Sequence, residues 1–153
     1  MPLASGATSQ RKATLDALAG ADGASLSARY DGLADSLPAA VPLRGPEIGM
    51  VMLRGRIGGG GALFNLGEAT VTRATVRLDS GEVGHAVVLG RDPDKARIVA
   101  HLDALSQRPD WRGRVEAEFV QPAIAEAAMR RRRQAEETQA TRVDFFTLVR
   151  GED

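Results

Sequence analysis

Glu68-Ala69-Thr70-Val71-Thr72-Arg73-Ala74-Thr75-Val76-Arg77-Leu78, then Asp79-Ser80-Gly81, then Val83-Gly84-His85-Ala86-Val87-Val88-Leu89 is the stretch that decides the fold. Its two flanks are rich in β-branched residues, which pack well on a pleated surface and lose freedom in a helix. The Asp-Ser-Gly between them reads as a tight turn. A connection that short can join only antiparallel strands, because parallel pairing needs a long crossover. A two-strand meander therefore sits at the centre of the chain.

Working outward, residues 47–57 are apolar and β-branched enough for a further strand, buried in the sheet. The glycine run from Gly58 to Gly61 separates it from the strand over 68–78. On the other side, Asp92-Pro93 is a helix start, with an N-cap aspartate and a proline whose fixed φ suits the first helical position. Ile98, Leu102 and Leu105 mark the inward face of that helix, and Pro109 ends it. Residues 112–121 fit either state: Val115, Ala117 and Phe119 alternate like a strand, while Val115 and Phe119 also share a helix face. Pro122 opens a long helix reaching about Ala140, and the alternation in Arg142 to Arg150 predicts a last strand.

Towards the N-terminus, Pro38, Pro42 and Pro46 each disfavour helix in the preceding residue, so 38–46 reads as an extended linker. Before it, Leu26, Tyr30, Leu33 and Leu37 fall at helical spacing behind Ser25, a possible cap. Ser9 to Ala19 is a short helix with Leu15 and Leu18 on one side, and residues 1–9 are expected to be disordered. The expected class is α+β, one domain over 1–153. It has a small, mainly antiparallel sheet, N-terminal helices, a helix after the third strand, and a long C-terminal helix followed by a last strand.

Composition narrows the chemistry. The chain has 20 basic and 20 acidic residues, so no whole-molecule field draws it to nucleic acid. It has no cysteine, which removes disulfides, thiolate metal sites and thiol nucleophiles. Only His85 and His101 offer imidazole. No secretory leader pattern and no apolar run of membrane-spanning length is present, so a cytoplasmic protein is expected.

The candidate site residues cluster around the strands. Arg54 and Arg56 precede the glycine run, and Arg73 and Arg77 lie beyond it. Glycine lets backbone amides approach a ligand or a neighbouring chain, and arginine offers a planar fork for phosphate or carboxylate. If the strands pair, the four arginines could form one basic surface. Glu47, Glu68 and Glu82 could instead pair with them across the sheet, in exposed pairs that contribute about 0–1 kcal/mol. The run itself is neither a P-loop, since Ala62 and Leu63 follow Gly61, nor a dinucleotide-binding turn, since Leu63 stands where the last glycine belongs. His85 shares a strand face with Val83, Val87 and Leu89 and reads as a hydrogen-bonded histidine, with no further metal ligand nearby in sequence. Arg130 to Arg133 wraps around a helix and reads as a solvated face pairing with Glu136 and Glu137.

At these residues a resemblance emerges. Pro46-Glu47-Ile48-Gly49-Met50-Val51, Arg56-Ile57-Gly58-Gly59, Phe64-Asn65-Leu66-Gly67-Glu68 running on to Arg73, and Val76-Arg77-Leu78 resemble the PhnG family. So do Gly84-His85, Leu89-Gly90-Arg91-Asp92 and the tail Arg142-Val143-Asp144-Phe145-Phe146-Thr147-Leu148-Val149-Arg150-Gly151. The resemblance runs from about Pro46 to Gly151 and fades before residue 38. Gly60 departs from it, standing where the family usually has threonine.

The resemblance implies a subunit of the bacterial carbon–phosphorus lyase system for phosphonate use. Its partners would be the PhnI, PhnH and PhnJ subunits, with PhnL and PhnK. Together such subunits transfer ribose triphosphate from ATP to methylphosphonate and release adenine, forming α-D-ribose 1-methylphosphonate 5-triphosphate. ATP is then a substrate of the complex, and no cofactor is expected on this chain alone. No catalytic residue is expected either. The anion-binding or subunit-interface candidates are Arg54, Arg56, Gly58, Gly59, Asn65, Glu68, Arg73, Arg77, His85, Arg91, Phe145 and Phe146. Two other readings are open: a freestanding phosphate-ester enzyme using the arginines and His85, and a nucleic-acid-binding module using Arg130 to Arg133.

Overall fold

The computed structural model describes residues 3–56 and 60–140. Its order is α1 (Leu3–Ala19), α2 (Gly23–Asp31), β1 (Ala40–Arg56), β2 (Leu63–Leu78), β3 (Val83–Leu89), α3 (Pro93–Ser106), α4 (Pro109–Val115), a π-helical turn (Glu116–Val120) and α5 (Gln121–Ala140). The three strands form one antiparallel meander, ordered β1-β2-β3. The α+β class and the central turn are as the sequence predicts. Leu78 and Glu82 close that turn by a backbone hydrogen bond, and Gly81 takes φ 106°, which a side chain would resist.

The helices cover one side of the sheet. Alternation along β2 sends Thr72, Ala74, Val76 and Leu78 inward, and Gly84, Ala86 and Val88 do the same on β3. Against them pack Val99, Leu102 and Leu105 of α3, with Leu18, Leu26, Val115 and Phe119 completing the core. Gly84 is where α3 comes closest. A Cβ there would lie 1.9 Å from the Ala100 carbonyl oxygen and 2.5 Å from the Ala104 nitrogen.

Several expectations are corrected. The segment 38–46 is not a linker, because β1 already begins at Ala40 and pairs with the end of β2. Its prolines fit there because β1 is an edge strand whose register shifts between Pro42 and Arg44 and again before Glu47. The strands expected over 47–57 and 68–78 are both longer, and the first, expected to be buried, has no buried residue because it lies at the sheet edge. The first helix starts at Leu3 rather than Ser9, so residues 3–9, expected to be disordered, are helical. Asp22, not Ser25, caps α2, accepting from the Ser25 N–H. That helix stops at Asp31, and Leu33 and Leu37 follow beside a 3₁₀ turn (Ala34–Ser36), packed against the core.

Residues 112–121 are helical. The helix that Pro122 was expected to open is already running from Pro109. A proline inside a helix lacks its donor and collides with the carbonyl four residues back. The π-helical turn widens the backbone just before Pro122, with the Gln121 N–H reaching the Glu116 carbonyl. The strand expected over 142–150 lies outside the described residues.

Candidate functional site

Among the described residues no element covers the side of the sheet away from the helices. It carries Arg73, Thr75 and Arg77 from β2 and His85, Val87 and Leu89 from β3, with Glu47 beside Arg73 on β1. Leu89 is 75 % exposed and Val87 54 %. Glu47 bridges two arginines, at 2.8 Å to Arg44 and 3.0 Å to Arg73. This realises the cross-strand pairing that the sequence allowed for Glu47. Arg77 has no carboxylate within ion-pair reach among the described residues, whose charges on this face therefore sum to a positive excess.

His85 stands opposite Thr75, and the Thr75 hydroxyl and His85 Nδ1 lie 3.2 Å apart. The pair is close because the His85 backbone N–H points away from β2, donating to Asp103 at 2.9 Å. Asp103 is a fully buried carboxylate on α3. Arg11 of α1 grips it through two contacts, Nε to Oδ1 at 2.9 Å and Nη2 to Oδ2 at 2.7 Å. Asp103 in turn raises the Arg11 pKa. The Gln107 amide and Arg11 donate to the Val83 carbonyl, so side chains occupy the outer edge of β3 near its start. Sequence reading missed this cluster. Its signal, a lone acid among the inward residues of α3, was present at Asp103.

A second, partly buried pair joins α2 to α3. The Tyr30 hydroxyl lies 2.6 Å from His101 Nδ1, and the rings meet edge to face. The pair lines a cavity of about 720 Å³ shared with Leu37, Pro42 and Arg97. Burial pushes the His101 pKa below its ordinary 6.5, opposed in part by the Pro38 backbone. Burial likewise raises the pKa of Tyr30.

The arginines predicted to form one surface do not. The register shift between Leu53 and Arg54 puts the extra residue, Leu66, on β2, so β1 keeps its own alternation from Glu47 to Arg56, and Arg54 and Arg56 lie on the opposite side from Glu47, Arg73 and Arg77. Arg54 pairs with Asn65 at the far end of the hairpin, seven residues along β1 from the Glu47–Arg73 row, or about 23 Å at ~3.3 Å per residue. Arg56 donates to the Gly61 carbonyl at 2.9 Å. Glu68 is exposed opposite Met52, and Arg91 is exposed just after β3. Gly58, Gly59, Phe145 and Phe146 lie outside the described residues. In the arginine run, Arg130 donates to the Gly20 carbonyl beyond α1 and Arg131 to Ala127.

This arrangement can hold an acidic, partly apolar surface. Among the described residues no group of three or more His, Asp or Glu side chains could hold a metal ion. No described carboxylate orients the His85 ring as a general base would require. Among the described residues no helix is long and apolar enough to cross a membrane.

Comparison with known proteins places the sequence in a family. The model for "Phosphonate metabolism protein PhnG" matches residues 9–151, beginning well before the point where the sequence resemblance faded. A protein of Rhizobium meliloti (strain 1021), named alpha-D-ribose 1-methylphosphonate 5-triphosphate synthase subunit PhnG, is 56% identical over 144 residues. That similarity covers 94% of this chain and 91% of the relative.

Proposed function

This chain belongs to the PhnG family of phosphonate metabolism proteins, and from that premise we propose that it is a subunit of an α-D-ribose 1-methylphosphonate 5-triphosphate synthase. The assembled enzyme transfers ribose triphosphate from ATP to methylphosphonate and releases adenine. Within it this chain is a binding subunit rather than the seat of the chemistry, and it acts in the cytoplasm beside PhnI, PhnH and PhnJ, with PhnL and PhnK. The open sheet face carries the reading. It is built on a buried apolar core and presents Arg77, Val87 and Leu89 to solvent. Exposed apolar surface next to unpaired charge is what a protein partner covers.

The test is co-expression with the PhnI, PhnH, PhnJ, PhnL and PhnK subunits, purification through a tag on this chain, and assay of adenine release from ATP plus methylphosphonate. The complex is expected to turn over, and the isolated chain is expected to release no adenine. Robust release by the isolated chain would move the chemistry onto this subunit and revive the freestanding-enzyme reading.

A further inference from the structure

Past Val71 the β1–β2 hairpin leaves the body of the domain. β3 stops at Leu89, opposite Val71, while β1 and β2 stay paired for seven more rows, from Met50↔Thr70 to Arg56↔Leu63. At ~3.3 Å per residue this arm is about 20 Å long. Every residue from Met50 to Arg54 and from Leu63 to Glu68 is exposed. Alternation gives the arm two sides. One carries Val51, Leu53, Phe64 and Leu66, the last lying across Gly55, where a Cβ would meet it at 2.5 Å. The other carries Met50, Met52, Arg54 and Arg56 from β1, opposite Thr70, Glu68, Asn65 and Leu63 of β2, so its exposed apolar groups are Met50, Met52 and Leu63. Met50 is 67 % exposed and Leu66 61 %.

A lone two-stranded ribbon is marginal in water, and one with a continuous apolar side and further exposed apolar side chains on the other gains by being covered. We propose that this arm is an insertion element, seated in a cleft of a neighbouring subunit whose walls are apolar on both sides and whose far end carries carboxylates. The inference rests on the subunit reading above and specifies how the contact is made. Charge complementarity selects the occupant: Arg54 and Arg56 face solvent with Glu68 as the single acid among the arm's described residues. The arm of a second copy brings the same two arginines against one acid, so pairing arm on arm supplies too few carboxylates to neutralise it. The methionines suit the seat, since an unbranched thioether adapts to an irregular wall.

Co-expression with the neighbouring subunits tests it, using the full chain tagged at its N-terminus. Four variants are compared with wild type: Leu53→Glu for one side, Met52→Glu for the other, Arg54→Glu for the charge, and Met129→Glu as an exposed apolar control on α5. Because these side chains are exposed, melting temperatures should match wild type. The three arm variants are expected to recover at least tenfold less partner, and the control should recover as much as wild type. Recovery unchanged in Leu53→Glu and Met52→Glu overturns the proposal while leaving the subunit reading intact. Loss on one side only means the arm lies on a flat surface, which overturns the cleft. An isolated chain that dimerises through these residues overturns the choice of occupant. Wild type that fails to recover any partner removes the subunit reading itself, and this inference with it.

Discussion

At the scale of single residues, the fold depends on polar groups that the helices bury. Asp103 is fully buried and keeps its charge matched through Arg11, whose side chain is 39% exposed. Replacing Arg11 with methionine retains an apolar stem but leaves Asp103 with only the His85 backbone N–H among these partners. Removing one member of a buried pair typically costs about 3–5 kcal/mol, and the partial exposure of Arg11 points to the lower end. Arg11→Met should therefore lose about 3 kcal/mol in denaturant unfolding at unchanged slope. A loss under about 1 kcal/mol would mean water replaces the guanidinium freely. Thr72 has a similar use, accepting from the Asp92 N–H and donating to the Gly90 carbonyl, which fixes the turn into α3. The sequence marked Asp92 as a cap because that bond is local, and Lys95 N–H does donate to it at 3.0 Å. It could not pair Arg11 with Asp103, which stand 92 positions apart.

Among elements, α3 and β3 meet closely at Gly84. Gly84 has no side chain because the backbone of α3 occupies that space. Gly84→Ala must push α3 outward, and overpacking of this kind costs about 1–3 kcal/mol. We expect a loss of about 2 kcal/mol or more. Gly113→Ala in α4, where a Cβ meets nothing within 4 Å, should be neutral or slightly stabilising. Equal effects in the two variants would show that α3 yields easily. Element boundaries were the less legible part of the sequence. Proline read as a linker over 38–46 because the rule is local, whereas tolerance of proline on β1 comes from its edge position and shifted register. Pro122 read as a helix start for the same reason, and the π-helical turn ahead of it is a backbone adjustment with no side-chain signature.

At the scale of the whole molecule, 20 acids balance 20 bases, so near neutral pH no large net charge opposes folding. The response to mild acid should then centre on His101. Its folded pKa lies below 6.5, so the unfolded chain binds the proton more readily. Stability should be flat above about pH 7 and fall as pH drops below the unfolded value, because protonation there favours the unfolded state. His101→Gln should flatten that fall in melting temperature between about pH 6.5 and 5. An unchanged slope would place the titration elsewhere.

The sequence by itself determined the class, the meander with its Asp79-Ser80-Gly81 turn, the start of α3 and the family. These rest on period, turn chemistry and motif order, which are local or read in chain order. Only the tertiary structure decided how the arginines divide. Arg54 and Arg56 went to one side of the projecting arm, while Arg73 and Arg77 went to the open face over the body. The reason is the two-residue period of a strand. A register fixed by pairing between distant segments sets which side each residue takes, and one row's difference sends a side chain to the opposite face.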